Sequence, residues 1–224
     1  RPLPDGLTTA TPDDYVQTVD AAMLPRLWGA IGDERAASAD IITSYPVNAN
    51  FADSYTEYVS YYRGFPLGVA APYAAIDAHA TVGKVPQSAW PVHCYAMVGV
   101  ARGLSPDAGT GAELYTVIGH APRHLDRNIA LVGRVIAGIE HLSTLPRGTG
   151  PLGFYEDAAE RVPIVSVRMG DAVDDLPTYQ YLSTDSGSFT RYAYARARRQ
   201  DAFFSIAAAG ADVCNIPVPT RIKP

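Results

Sequence analysis

Apolar and polar positions keep different rhythms in different parts of the chain. Residues 1–90 are punctuated by prolines at 2, 4, 12, 25, 46, 66, 72 and 86, with short periodic stretches between them. Ala21 to Ala39 predicts a short helix, and Ser54 to Tyr62 alternates aromatic and polar residues as a half-buried strand does. From 92 to 169 the chain becomes a series of short apolar runs separated by glycine and proline turns: Cys94–Val100, Glu113–Ile118, Ala130–Val135 and Pro163–Met169. One helix is predicted among them, Ala137–Leu145, with Gly138 near its start and Pro146 after its end. This order predicts a mostly antiparallel sheet or barrel with a helix closing one end. Beyond Asp174-Asp175-Leu176-Pro177, Asp185 or Ser186 can cap a helix running to about Phe204, with Phe189, Tyr192, Ala193, Ala197 and Phe203 or Phe204 at helical spacing. The tail Val213–Pro219 is held extended by its prolines, and no internal repeat is present.

Composition narrows the class further. A chain of 224 residues, 47% hydrophobic and 18% charged, can bury a substantial core as one large domain or a domain with an extension. Nineteen glycines, 18 prolines and 14 tyrosines favour turns and strands over long helices. The formal charge of -5 leaves no electrostatic footprint for nucleic acid, and the basic run Arg191 to Arg199 reads as a solvated helix face. No apolar run reaches membrane-spanning length, since Gly133, Arg134 and Gly138 interrupt Ile129–Ile139. The chain opens at Arg1 without a methionine, which suits a processed polypeptide and leaves export open. Cys94 and Cys214 read as a disulfide in an exported protein and as two small buried residues in a reducing compartment.

Candidate chemistry is sparse. A nucleophile elbow, a phosphate-binding loop ending in Lys-Ser or Lys-Thr, and a dinucleotide-binding glycine motif are all missing from the sequence, so hydrolase and nucleotide readings fall away. His120 and His124 have a four-residue interval, but Pro122 between them spoils the helix that would aim both imidazoles at one metal. His93 beside Cys94 could join a folded site, although separate polar histidines are the simpler reading. Asp171, Asp174 and Asp175 lack the glycine and distal glutamate of a calcium loop and read as a solvated acidic turn.

The order of the middle segments is more telling. His93-Cys94-Tyr95-Ala96-Met97-Val98-Gly99-Val100-Ala101 is followed, after a loop, by Gly111-Ala112-Glu113-Leu114-Tyr115-Thr116-Val117-Ile118. Then comes His124-Leu125-Asp126-Arg127-Asn128, leading into Leu131-Val132-Gly133-Arg134-Val135-Ile136-Ala137-Gly138. This string resembles the second half of the cyclophilins over about residues 92 to 170, most specifically in the Leu125-Asp126 turn and the Val132–Gly138 run. Pro163-Ile164-Val165-Ser166-Val167 would be the closing strand, and Asp14-Tyr15-Val16-Gln17 is a weaker echo of the strand that usually carries the catalytic arginine.

The resemblance implies a mainly β fold, a cyclophilin-like antiparallel β-barrel with capping helices over 1–180, divergent over 1–90, followed by a C-terminal helix and extended tail over 181–224. It implies a peptidyl-prolyl cis-trans isomerase acting on X-Pro bonds of protein or peptide clients without a cofactor or metal. Ala101, Glu113, Tyr115, His124 and Leu125 fall where the family lines its proline groove, with His124 in place of tryptophan and Ile129 in place of histidine. The family's arginine strand has no counterpart in Thr8–Tyr15, nor do its first strands and helix have a place ahead of Arg1. Arg102 and Arg123 flank the groove as candidate substitutes, the plainer reading of each being a surface loop arginine. The alternative is a catalytically inactive binding or assembly subunit whose open sheet edges call for a partner. A zinc enzyme built on His120, His124 and a carboxylate is a third reading. The same strand assignment sets Cys94 beside the groove and leaves the tail around Cys214 in need of a tie, implying a Cys94–Cys214 disulfide and a periplasmic or secreted setting.

Overall fold

In the computed structural model, which describes residues 12–23, 53–75, 82–208 and 210–224, the first ladder starts from β1 (Gln17–Thr18) and a hairpin. The hairpin strands β2 (Tyr58–Tyr62) and β3 (Phe65–Ala70) pair antiparallel with Tyr62 opposite Phe65, leaving a two-residue connection of Arg63 and Gly64. Both connecting residues have positive φ, 48° and 86°, the backbone whose twist matches a tight hairpin and that glycine adopts freely. After the pair β4 (Tyr73–Ala75) and β5 (Val82–Lys84), strand β6 (Ser88–Pro91) joins β3 on one side and β1 on the other, giving the order β1-β6-β3-β2. Where β3 and β6 cross, Gly68 faces Trp90, and a Cβ at Gly68 would stand 2.5 Å from the indole nitrogen. The indole fills that space, with the Arg127 guanidinium 4.8 Å from its ring centroid.

A second antiparallel sheet has the order β8-β7-β9, formed by β7 (Met97–Val100), β8 (Leu114–Thr116) and β9 (Leu131–Arg134). These strands lie inside three of the predicted runs. Helix α1 (Ile139–Ser143) follows, entered through Gly138 at φ 83°, and β10 (Tyr179–Tyr181) later pairs with β11 (Thr220–Ile222). Helix α2 (Gly187–Ala197) begins at Ser186, whose hydroxyl accepts from the Phe189 amide. It stops seven residues before Phe204, its final turn closed by the Arg198 amide on the Tyr194 carbonyl.

The main core gathers Val59 and Tyr61 of β2, Trp90, Val92, Met97, and Phe189, Ala193 and Ala197 of α2 against Val213, Ile216 and Val218 of the tail. Tyr61 sets its ring edge-on to Phe189, and its hydroxyl lies 3.0 Å from the Val213 carbonyl and 3.2 Å from that of Ile216. Burial, followed by the fields of Tyr192 and Asp212, raises the Tyr61 pKa far above its ordinary value. A smaller cluster of Met23, Leu67, Val69 and Ala89 packs on the same four-stranded sheet. The tail is fastened by a Cys94–Cys214 disulfide across 120 residues, as the sequence led us to expect.

Three expectations fare differently. The expected closing strand, Pro163–Val167, has no ladder among the described residues and lies exposed, Val165 at 95%. Its β-branched run supplies strand propensity, but no neighbouring strand edge meets it there, and propensity without a partner does not make a strand. A closed barrel is likewise not formed among the described residues, whose strands fall into one four-stranded sheet, one three-stranded sheet and two pairs. The expected helix in Ala21–Ala39 lies outside the described residues from 24 onward.

A loop of this length closed by one covalent bond stabilises by about 4–5 kcal/mol in the chain-entropy picture. We therefore expect Cys94→Ala with Cys214→Ala to cost about 2–5 kcal/mol in denaturant unfolding. An unchanged midpoint would contradict the disulfide's role in holding the tail.

Candidate functional site

Strand β7 carries a glycine, Gly99, directly opposite Tyr115 of β8, and the Tyr115 ring occupies the space a side chain at Gly99 would take. The ring is thereby laid across β7 with its hydroxyl reaching the segment before that strand. There His93, fully buried, has its Nε2 2.7 Å from the Tyr115 hydroxyl, the two rings nearly parallel. His93 Nδ1 lies 2.9 Å from Oδ1 of Asp126, which also accepts from the His93 backbone amide at 2.9 Å. A carboxylate can only accept, so Nδ1 carries a proton, and in the tautomer with that proton alone Nε2 accepts from Tyr115.

Asp126 ends the short turn Arg123–Leu125, placing it three residues after Arg123. The Arg123 Nε donates to Asp126 Oδ2 at 2.6 Å and its Nη1 to Asp53 Oδ2 at 2.5 Å, with side chains 3–4% exposed. Asp212 lies further off, at 3.9 Å, and the guanidinium stands over the Tyr55 ring at 5.4 Å. Burial works to lower the Arg123 pKa; the hydrogen bonds that Asp53 and Asp126 accept from it, with their charges, outweigh burial and the pKa is raised. Five side chains thus form one polar chain, Tyr115–His93–Asp126–Arg123–Asp53, running from the β8 surface into the interior. The Tyr115 phenol is pushed up to about 12 by burial first and the Asp126 charge second.

The expected groove residues distribute around this chain. Ala101 and Glu113 are joined by the Ala101 amide on the Glu113 carbonyl, extending the β7-β8 pairing that holds Tyr115. Ala101 is half-buried and Glu113 exposed; His124 is exposed and Leu125 half-buried, both in the turn that carries Arg123. Arg123 faces two carboxylates in the interior rather than a surface loop. Arg102 is half-buried after β7, its Nε on the Asn128 carbonyl at 2.9 Å and its Nη1 on that of Gly103 at 2.8 Å. The loop behind it is clamped by Asp107, which accepts from the Gly103 and Gly109 amides. The Gly109 amide, then that of Gly103, lowers the Asp107 pKa. Arg102 borders a small pocket of about 70 Å³ with Tyr15, Pro106, Asp107, Arg127 and Asn128.

His120 and His124 are both exposed, and among the described residues no three His, Cys, Asp or Glu side chains converge as metal ligands. His93, Arg123 and Asp126 carry no mark in the sequence that joins all three, and Asp53 and Tyr55 carry no mark of a site at all. The available signal was the Arg123-x-x-Asp126 spacing on a turn; His93 and Asp126 lie 33 residues apart and Asp53 and Arg123 lie 70 apart, so only the fold pairs them.

No protein-family model and no curated protein matches the chain. Among solved structures, that of the cyclophilin AquaCyp293 from Hirschia baltica superposes on 93% of this chain with a TM-score of 0.56 and 19% identity. The chain spans 63% of the length of that cyclophilin. At this identity the likeness is one of fold: the chain is cyclophilin-like in architecture.

Removing Arg123 would leave the Asp53 and Asp126 carboxylates buried without their cation. We expect Arg123→Met to destabilise by about 3–5 kcal/mol in denaturant unfolding; a loss under about 1 kcal/mol would place the pair at the solvent-screened end of the range. Tyr115 makes a pH signature. Below pH 10 both folded and unfolded chains keep the phenolic proton; as pH rises from 10.0 toward about 12 the unfolded chain ionises first and stability falls. Tyr115→Phe should flatten that decline, and a decline of unchanged steepness would contradict the assignment.

Proposed function

We propose that the chain is a peptidyl-prolyl cis-trans isomerase module acting on X-Pro bonds of protein clients. The observation that carries this reading is the cyclophilin-like architecture over 93% of the chain, joined to a β7-β8 surface on which Ala101, Glu113 and Tyr115 come together. Rotation about an X-Pro bond faces a barrier of ~18–20 kcal/mol. Lowering it requires a twisted amide to be held out of water with a donor aimed at the prolyl nitrogen, and no covalent step or cofactor. In this reading the Tyr115 ring is the apolar floor for the proline, kept rigid by its bond to His93 and by Gly99 beneath it. The buried Arg123 positions that floor through Asp126 and His93. Arg102, with Nε and Nη1 committed to carbonyls, offers its Nη2 end as the donor. The disulfide favours an oxidising compartment, periplasmic or extracellular, and no helix among the described residues is long and apolar enough to cross a membrane. The described sheets would then be parts of the family's barrel.

A second reading, a binding or assembly subunit without catalysis, is favoured by one feature: both candidate arginines already have polar partners. A protease-coupled isomerisation assay on the whole chain separates the two. We expect acceleration over the uncatalysed rate, reduced about a hundred- to a thousand-fold in kcat/KM by Arg102→Ala, the range for losing one preorganised donor. No acceleration, with saturable binding of a proline peptide, selects the binding subunit. Acceleration undiminished by Arg102→Ala removes Arg102 from the mechanism.

A further inference from the structure

The tail that the disulfide fastens does more than cover the core. Between it and the segment around β7 and β9 runs a groove of about 460 Å³, shared by none of the residues assigned to proline binding. Its walls are apolar: Tyr95 and Met97 on one side, Ile136 and Ile139 on another, Ile216 and Pro217 on the tail. Tyr95 and Ile136 stand about half exposed at its rim, at 46% and 48%. Arg134 is the one charged residue among those lining it.

Arg134 is unusual for a half-buried arginine. Its one described hydrogen bond is long, 3.4 Å from Nη2 to the Thr220 hydroxyl, and no carboxylate lies within ion-pairing distance among the described residues. Desolvation lowers its pKa, and no carboxylate among the described residues opposes that. Arg123 supplies the contrast within the same molecule, since there two carboxylates answer the guanidinium. A desolvated guanidinium whose planar fork meets no anion among the described residues is an arrangement that a carboxylate completes with two parallel hydrogen bonds.

We propose that this groove binds a small amphipathic monocarboxylate, an aliphatic chain ending in one carboxylate, with the carboxylate on Arg134 and the chain along Tyr95, Ile136, Ile139 and Pro217. One cation and no lining anion match a monoanion rather than a zwitterion. The volume lies within the range of small-molecule sites, whose walls are apolar with few placed polar groups. The Cys94–Cys214 bond belongs to the wall, both cysteines lining the groove, so the bond that fastens the tail also helps shape the site.

Isothermal titration of the intact, oxidised chain with decanoate tests this below the micellar range, with decanol and decyltrimethylammonium as chain-matched controls. A charge-assisted bond to a carboxylate corresponds to at least about a tenfold difference in affinity. Decanoate is therefore expected to bind saturably and at least about tenfold more tightly than decanol, and Arg134→Met is expected to erase that preference. Equal binding of decanoate and decanol, binding unaltered in a folded Arg134→Met variant, or no saturable decanoate binding each overturns the proposal. Should Arg134→Met fail to fold, the comparison of decanoate with decanol on the unaltered chain still decides. An isomerisation assay has no bearing on these outcomes.

Discussion

One buried carboxylate organises the region around Tyr115. Asp126 accepts from the backbone and ring of His93 with one oxygen and from Arg123 with the other. Through those three bonds it joins the segment entering β7, the turn before β9 and, by way of Arg123, the Asp53 segment ahead of β2. A charge in such a place is costly unless every partner is present, and its removal is felt wherever those partners belong. The network is therefore a constraint on relative position more than a source of net stability.

Tyr115 inherits its place from that constraint. Cross-strand pairing sets it over Gly99, and the bond to His93 fixes the ring's far end, so a half-buried stretch of β8 presents a firm aromatic surface. In the proposed reading that firmness suits a compact, chemically inert ring such as proline, because binding a twisted amide depends on shape and water exclusion. The Arg102 loop rests on the same framework through Asn128, two residues beyond Asp126. The apolar groove around Arg134 depends on a different tie, the disulfide, and on the tail packed beneath α2.

What could be read from sequence was what local pattern decides. Strands β7, β8 and β9 lie inside their predicted runs because glycine and proline turns bound each one. Ser186 caps α2 as its residue type suggests. Cys94 and Cys214, whose pairing the strand assignment implied, are joined. The polar chain was hidden because hydrogen-bond partners tens of residues apart leave no periodic trace. Val165 shows the opposite failure: its neighbours have strand propensity in full, yet a strand is a property of two segments, and the second is not met among the described residues. Arg123, taken from sequence as a loop arginine or a donor to substrate, lies between two interior carboxylates, a difference that only burial reveals.

Amide hydrogen exchange, compared between the unaltered chain and Asp126→Asn, bears most directly on whether this carboxylate positions the site. If it does, protection falls together at His93, along β7 and β8, and in residues 53–56, while the β3-β6 ladder around Gly68 and Trp90 keeps its protection. Loss confined to residues 123–128, with Tyr115 and its strand unaffected, would contradict the account.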